Sequence, residues 1–125
     1  TAAIVNVAME KLVTPFGLRT LAPDHPAYCG KCAGSPRRII SALHNGTVHP
    51  WLVAPFVRAY LRAHEDGKPL LEKFAPLFDS SYHPCEGAIA QMYDGEAPHH
   101  PRGAPAFAAS TGAVLQAYAM LKGEW

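Results

Sequence analysis

The sequence has little of what a membrane protein or a nucleic-acid-binding protein needs. No apolar run among its 125 residues approaches the roughly 18 residues of a membrane-spanning helix. The 11 Lys and Arg residues nearly balance the 10 Asp and Glu residues, so the formal net charge is only +1. Without a basic excess, nothing in the chain can follow a phosphate backbone. We therefore expect neither a membrane nor a nucleic acid as a partner.

Cysteine is also scarce. Three cysteines, an odd number, argue against the disulfide framework of a small secreted domain. No basic segment followed by an apolar one opens the chain, and it begins at Thr1 rather than at a methionine, as a fragment would. The expected compartment is the reducing cytoplasm. A length of 125 residues predicts a single segment of one domain or less.

Motifs for covalent catalysis and for cofactor binding are absent. No Gly-x-Ser-x-Gly turn and no phosphate-binding glycine loop occur, so no cofactor is predicted. Cys29 and Cys32 have C-x-x-C spacing, and His83-Pro84-Cys85 could complete three thiolates and an imidazole for zinc. A single H-x-C motif is a weak candidate for the second pair of zinc ligands. We therefore predict no metal site and keep a zinc-stapled small domain as an alternative.

Apolar residues at helical spacing predict an all-α fold of four main helices joined by long loops. The helices are expected near residues 3–13, 48–65, 69–79 and 106–121. Proline and glycine leave residues 14–45 and 80–103 mainly as loops, which are unusually long unless they carry function. The polar and aromatic loop residues are candidate site residues: Arg19, Asp24, His44, Trp51, His83, Asp94, His99 and Arg102.

Each of these residues also has an ordinary structural explanation. Trp51 could be a core residue, and His99 with its neighbour His100 could form a solvated turn. The arginines could cap loops. The loop carboxylates could be solvated acids or supply a catalytic pair, and they are Asp24, Glu86, Asp94 and Glu96.

Three segments together resemble a known family. Residues 14–21 read Thr-Pro-Phe-Gly-Leu-Arg-Thr-Leu, residues 44–51 read His-Asn-Gly-Thr-Val-His-Pro-Trp, and residues 93–103 read Tyr-Asp-Gly-Glu-Ala-Pro-His-His-Pro-Arg-Gly. In this order they resemble the C-terminal part of the amylo-α-1,6-glucosidase domain of glycogen debranching enzymes, over about residues 3–121. The resemblance implies the last third of an (α/α)6 barrel and an α-glucan substrate with α-1,6-linked glucose stubs. It implies substrate-binding roles for Arg19, His44, Asn45, Thr47, Trp51, Asp94 and Arg102.

Position 91 decides the catalytic expectation. Hydrolysis with inversion needs two carboxyl groups roughly 6.5–9.5 Å apart, one as acid and one as base. The family's base is the glutamate three residues before the Asp-Gly pair, which corresponds to Gln91, and the family's acid lies upstream of the matched region. An amide cannot take a proton from water at neutral pH. Because the family pattern is also lost at Leu43, Asn45, His49 and residues 107–110, we expect a relative or fragment of a debranching enzyme that is inactive as this chain.

A partial barrel cannot close on itself, so its apolar helix faces would stay uncovered. Such faces mark binding surfaces or aggregation hazards. We therefore expect a homo-oligomer or a partner that supplies the missing barrel half, with a non-catalytic helical binding or assembly module as the alternative function. The expected interface lies at or near Val53, Phe56, Val57, Tyr60, Leu115 and Tyr118.

Overall fold

The fold combines helices with a small antiparallel sheet, so the prediction of an all-α fold built as a partial (α/α)6 barrel is wrong. A computed structural model describes residues 1–125. The helices are α1 Ala2–Lys11, α2 Pro36–Ala42, α3 Val53–Ala63, α4 Lys68–Lys73 and α5 Ala108–Leu121. The strands are β1 Val13–Thr14, β2 Gly17–Arg19, β3 Val48–His49, β4 Met92–Tyr93 and β5 Pro101–Arg102. Short 3-10 turns occupy Pro50–Leu52, Ala75–Phe78 and Ser80–Tyr82.

The five strands form one antiparallel sheet in the order β1-β2-β3-β4-β5. Leu18 pairs with His49, Val48 pairs with Tyr93, and Met92 pairs with Arg102. Each strand has only two or three residues, which is too short for the apolar–polar alternation that reveals a strand in a sequence. The sheet brings together the three sequence segments on which the family resemblance depends.

All four predicted helices exist, but two of them are shorter than expected. The predicted helix 48–65 is α3, and it begins only at Val53 because β3 and a 3-10 turn precede it. The predicted helix 69–79 is α4, which ends at Lys73 and is followed by a separate 3-10 turn. The other two predictions agree closely with α1 and α5.

Helix α2 lies within the predicted loop 14–45, although the sequence carries a signal for its start. The Ser35 Oγ atom accepts a hydrogen bond from the Arg38 N–H at 3.3 Å, and Pro36 occupies the beginning of the helix. A serine cap followed by proline is a common helix start. The helix is seven residues long and largely exposed, so no apolar stripe marks it in the sequence.

The larger of two hydrophobic clusters lies between α3, α5, α1 and the sheet. The apolar face of α3 is covered within the chain, so Val53, Phe56, Val57 and Tyr60 are buried and not free for an interface. The total surface is 6899 Å² for a mass of 13.5 kDa, close to the roughly 6,500 Å² expected of a folded monomer of that mass. The expectation of widely uncovered helix faces therefore does not hold for α3.

Helix α5 is the exception, because part of its apolar surface stays exposed. Its 14 residues include no charged side chain. Ser110, Val114 and Ala117 are buried, whereas Leu115 keeps 69% and Tyr118 keeps 38% of its surface exposed. None of the five helices combines the length and the apolar character that crossing a membrane requires.

A matched pair of leucines tests this description of the core. Leu70 in α4 is fully buried, and Leu115 in α5 is largely exposed. Leu70→Ala should lower the free energy of unfolding by about 2–5 kcal/mol, because the removed side chain leaves a cavity. Leu115→Ala in dilute monomer should change it by about 0.5 kcal/mol or less. Urea unfolding followed by circular dichroism measures both, and equal losses would contradict the assigned core.

Candidate functional site

The Asp94 carboxylate, at the end of β4, joins the loop before α2 to strand β5. Its Oδ1 accepts hydrogen bonds from the Cys32 N–H at 2.9 Å and from Arg102 Nε at 3.1 Å, and its Oδ2 accepts one from Arg102 Nη2 at 2.9 Å. The carbonyl of Asp94 also accepts a hydrogen bond from His99 Nδ1 at 2.8 Å. Antiparallel pairing of β4 with β5 brings Asp94 and Arg102 together. Asp94 is thus held by a bidentate ion pair, the strong form of such pairs.

The protonation of Asp94 follows from these contacts. Burial by itself would raise the pKa of Asp94, but the hydrogen bonds from Arg102 and from the Cys32 N–H outweigh it and hold the pKa below its usual value. The carboxylate therefore stays ionised, and its oxygens are already occupied by donors. Such a group is unsuited to act as a general acid.

Arg19 ties the first motif segment to the third. Its Nε donates a hydrogen bond to the Gly95 carbonyl at 2.8 Å, next to Asp94. Thr47 is fully buried, and its Oγ1 lies 3.0 Å from the Ala42 carbonyl at the end of α2. Of the predicted substrate-binding residues, Arg19, Thr47, Asp94 and Arg102 therefore hold loops together, and sugar contacts are not needed to explain them.

Tyr28 packs against three glycines that belong to different loops. An added Cβ atom at Gly30, Gly46 or Gly95 would collide with the Tyr28 side chain, and one at Gly95 would also collide with the Gly46 carbonyl. The Tyr28 hydroxyl is buried, lies beside the guanidinium of Arg19 and has no hydrogen-bond partner in the protein. Burial raises the pKa of Tyr28. Apart from the glycines around it, no sequence signal marks Tyr28 as a site residue.

Gln91 lies at the end of the sheet and pairs with Ala104. The Gln91 N–H donates to the Ala104 carbonyl at 2.9 Å, and the Gln91 Oε1 accepts a hydrogen bond from the Ala104 N–H at 3.1 Å. Ser110 at the start of α5 donates to the Gln91 carbonyl at 3.4 Å. The side-chain amide therefore has a structural role, because it joins Ala104, two residues after β5, to the residue before β4.

Of the remaining predicted binding residues, His44 and Asn45 lie in the turn between α2 and β3, and Trp51 lies in the 3-10 turn after β3. Asn45 Nδ2 donates to the Ser41 carbonyl at 2.8 Å. The rings of His44 and His49 stack with centroids 6.3 Å apart, and burial lowers the pKa of His49. Trp51 keeps 48% of its surface exposed, so the alternative that it is a core residue is wrong.

Two of the four loop carboxylates share one small polar pocket. This pocket has a volume of about 170 Å³, and its lining includes Asp94, Glu96, Lys31 and His100. Asp24 instead forms an exposed ion pair with Lys11 at 2.7 Å, and Glu86 is exposed elsewhere. Only Glu96 therefore adds a carboxylate beside Asp94.

The cysteines do not form a metal site. Cys29 Sγ and Cys32 Sγ contact the α2 carbonyls of Arg38 and Ile39 at 3.8 Å and 4.0 Å, and all three cysteines are free thiols. No group of three His, Cys, Asp or Glu side chains comes together in a way that could hold a metal ion. The zinc-stapled alternative therefore lacks a ligand set in this fold.

Acid sensitivity provides a test of the Asp94 site. Because the folded-state pKa of Asp94 is lowered, its ionised form stabilises the fold above the unfolded pKa of about 3.9, and this stability is lost as the pH falls through the folded value. Asp94→Asn should cost about 1.5–3 kcal/mol at pH 7. It should also flatten the pH dependence of the free energy of unfolding in the acid range.

Asp24→Asn is the control for this substitution. Asp24 and Lys11 form an exposed ion pair, and such pairs contribute little to stability. Urea titrations at pH 7 and at several acid pH values compare the two variants with the unaltered protein. An Asp94→Asn variant that keeps both the neutral stability and the acid dependence of the unaltered protein would contradict the role given to this carboxylate.

The comparison with protein families agrees with the geometry. The model described as amylo-alpha-1,6-glucosidase matches residues 1–116, a region that includes the whole sheet, Gln91 and the pair of Asp94 with Arg102. The comparison with curated proteins found no match. Since the match covers nearly the whole chain, the protein belongs to the amylo-α-1,6-glucosidase family of glycogen debranching enzymes.

Proposed function

We propose that this chain recognises branched α-glucan and does not hydrolyse α-1,6 linkages by itself. The observation that carries the proposal is Gln91, whose Oε1 accepts a hydrogen bond from the Ala104 N–H at the position of the family's general base. An amide offers no site of suitable basicity for the proton of an attacking water. The three free thiols support a reducing compartment, the cytoplasm, as the place where the chain acts.

The other carboxylates do not replace the missing base. Asp94 is saturated by Arg102 and the Cys32 N–H, which keeps it ionised but leaves it a weak base. Glu96 is exposed to solvent on the rim of the same pocket. Inverting hydrolysis needs an acid and a base on opposite sides of the scissile bond. A fully engaged Asp94 beside a solvated Glu96 does not supply that pair.

Recognition of glucan is assigned to the exposed residues of the motif segments. Trp51, in the 3-10 turn after β3, exposes about half of its surface, and His44, in the turn before β3, is exposed as well. Aromatic faces pack against the apolar faces of sugar rings, and the polar edge of such a side chain can remain in water. Arg19 and Arg102 instead bind the Gly95 carbonyl and the Asp94 carboxylate, so they hold the segment after β4.

Glucose release from a branched dextrin that carries single α-1,6-linked glucose stubs tests the proposed lack of hydrolysis. The purified chain should release no glucose above the buffer blank in a coupled enzymatic assay. Loss of a general base alone costs about 10²–10⁴-fold in rate. Gln91→Glu should not restore release, because the acid partner is also missing. Release that scales with the concentration of the unaltered chain would contradict the proposal.

Binding must be measured in the same preparation. Tryptophan fluorescence should change when the branched dextrin is added, and Trp51→Ala should abolish this change. Trp125→Phe is the matched control, since Trp125 is the other tryptophan and lies exposed at the end of the chain. Absence of any binding by the unaltered chain, or full binding by the Trp51→Ala variant, would contradict the glucan assignment.

Self-association is a second candidate function, and α5 favours it. Leu115 and Tyr118 are exposed on this uncharged helix beside an apolar groove of about 230 Å³, whose lining includes Phe78 and Ile89. Exposed apolar patches of this kind mark interaction sites. We propose that a second copy of the chain covers this face.

Light scattering at rising concentration tests the self-association. A stable dimer should appear with about 1,000 Å² or more of buried surface. Leu115→Glu should make the chain monomeric, because it places a charge in the interface. Glu substituted for the exposed Ile40 of α2, away from this face, is the control and should leave the dimer intact. A monomer at every concentration would overturn the second candidate.

A further inference from the structure

Asn45-Gly46 lies in the turn between α2 and β3. In an Asn-Gly dipeptide the asparagine side chain can deamidate without an enzyme, by reaction with the main-chain nitrogen of the glycine. Glycine has no side chain to hinder the approach of its nitrogen to the preceding asparagine. The chain contains one other asparagine, Asn6, which is followed by the branched residue Val7. Position 45 is therefore the more susceptible of the two asparagines.

The reaction needs water as its only co-reactant. The main-chain nitrogen of Gly46 attacks the side-chain carbonyl carbon of Asn45 and loses its proton to solvent. The bond from that carbon to Nδ2 breaks, and ammonia leaves with a proton from solvent. Water then opens the cyclic imide at either carbonyl, which gives aspartate or isoaspartate at position 45.

In the folded chain both reacting groups are held away from this path. The Gly46 N–H donates a hydrogen bond to Thr20 Oγ1 at 2.9 Å, and that hydroxyl donates to the Thr47 carbonyl at 3.0 Å. The side-chain amide of Asn45 is turned back toward α2 by its hydrogen bond to the Ser41 carbonyl at 2.8 Å.

The backbone around the dipeptide is restrained as well. The Asn45 carbonyl accepts a hydrogen bond from the Cys29 N–H at 2.6 Å. Gly46 is buried with φ of 149°, and Tyr28 packs against it. Ring closure requires the turn to move, and the contacts of Cys29 and Tyr28 oppose that movement.

We propose that Asn45-Gly46 is a latent deamidation site that opens only when this turn opens locally, with the Thr20 hydroxyl as the group that keeps it closed. Conversion to aspartate adds a negative charge to the turn, and isoaspartate also inserts a methylene into the main chain. Either product disturbs the link to Cys29, and the loop of Cys29 carries the Cys32 N–H that binds Asp94. Deamidation would therefore loosen the Asp94 site.

The proposal is tested by the deamidation rate at Asn45 during long incubation of the intact protein at neutral pH and body temperature. Trypsin releases peptide 39–58, which contains Asn45 and no aspartate, so mass spectrometry reads the exchange of amide for acid at one position. The synthetic peptide 39–58 is the unfolded reference. The unaltered protein should deamidate much more slowly than this peptide. Equal rates would overturn the proposed protection.

Substitution of Thr20 tests the residue that closes the turn. Thr20→Val keeps the side-chain shape and removes the hydroxyl, so it should raise the deamidation rate about three- to tenfold through a larger open population. Thr20→Ser keeps the hydroxyl, so this variant should deamidate as slowly as the unaltered protein. A Thr20→Val variant that deamidates no faster than the unaltered protein would overturn the role of Thr20.

A control variant separates local opening from global unfolding. Leu70→Ala weakens the core but leaves Thr20, Asn45 and Gly46 in place. Under conditions in which both variants remain folded, Leu70→Ala should leave the rate at Asn45 unchanged. If Leu70→Ala accelerates the reaction as much as Thr20→Val does, deamidation passes through global unfolding, and the proposed local opening of the turn is refuted.

Discussion

The buried carboxylate of Asp94 is the interaction on which the arrangement of the loops depends. It receives Arg102 from β5 and the Cys32 N–H from the loop before α2. A buried charge of this kind is tolerated only when donors surround it. Because those donors come from positions 32 and 102, far apart in the chain, ionised Asp94 fixes the placement of the loop before α2 relative to β5.

The glycines around Tyr28 show why the loops can be long without being loose. Gly30, Gly46 and Gly95 let three main-chain segments approach one another and one aromatic ring. Arg19 then fixes the Gly95 carbonyl from β2. Close main-chain approach, a charged hydrogen bond and aromatic packing together give these loops an order that regular secondary structure supplies elsewhere in the fold.

The same arrangement bears on the proposed lack of hydrolysis. The residues retained from the family motifs are mostly those that hold loops, such as Arg19, Thr47, Asp94 and Arg102. The altered position, Gln91, keeps a hydrogen bond to the Ala104 N–H that a carboxylate oxygen could equally accept. If Gln91 stands at the position of the family's base, as the resemblance implies, this hydrogen bond supports the proposal that the local structure is kept without the basic group.

The sequence by itself determined the family, the amide at position 91 and the positions of α1, α3 and α5. Motif order and helical periodicity are local properties that a single chain displays directly. Helix α2 could have been predicted from Ser35 and Pro36. However, the helix is short and largely exposed, so its sequence shows no stripe of apolar residues at helical spacing. Candidate residues such as Asp94 and Arg102 could be named from the motifs, although their pairing could not.

Only the tertiary structure decided that the chain contains a sheet, that α3 is covered internally and that Tyr28 belongs to the site. Strands of two or three residues leave no periodic signal, and their register depends on partners such as Leu18 and His49 that are distant in sequence. Burial of Val57 likewise depends on which helices pack against α3. These features arise from contacts between distant segments, so the local pattern of residues does not specify them.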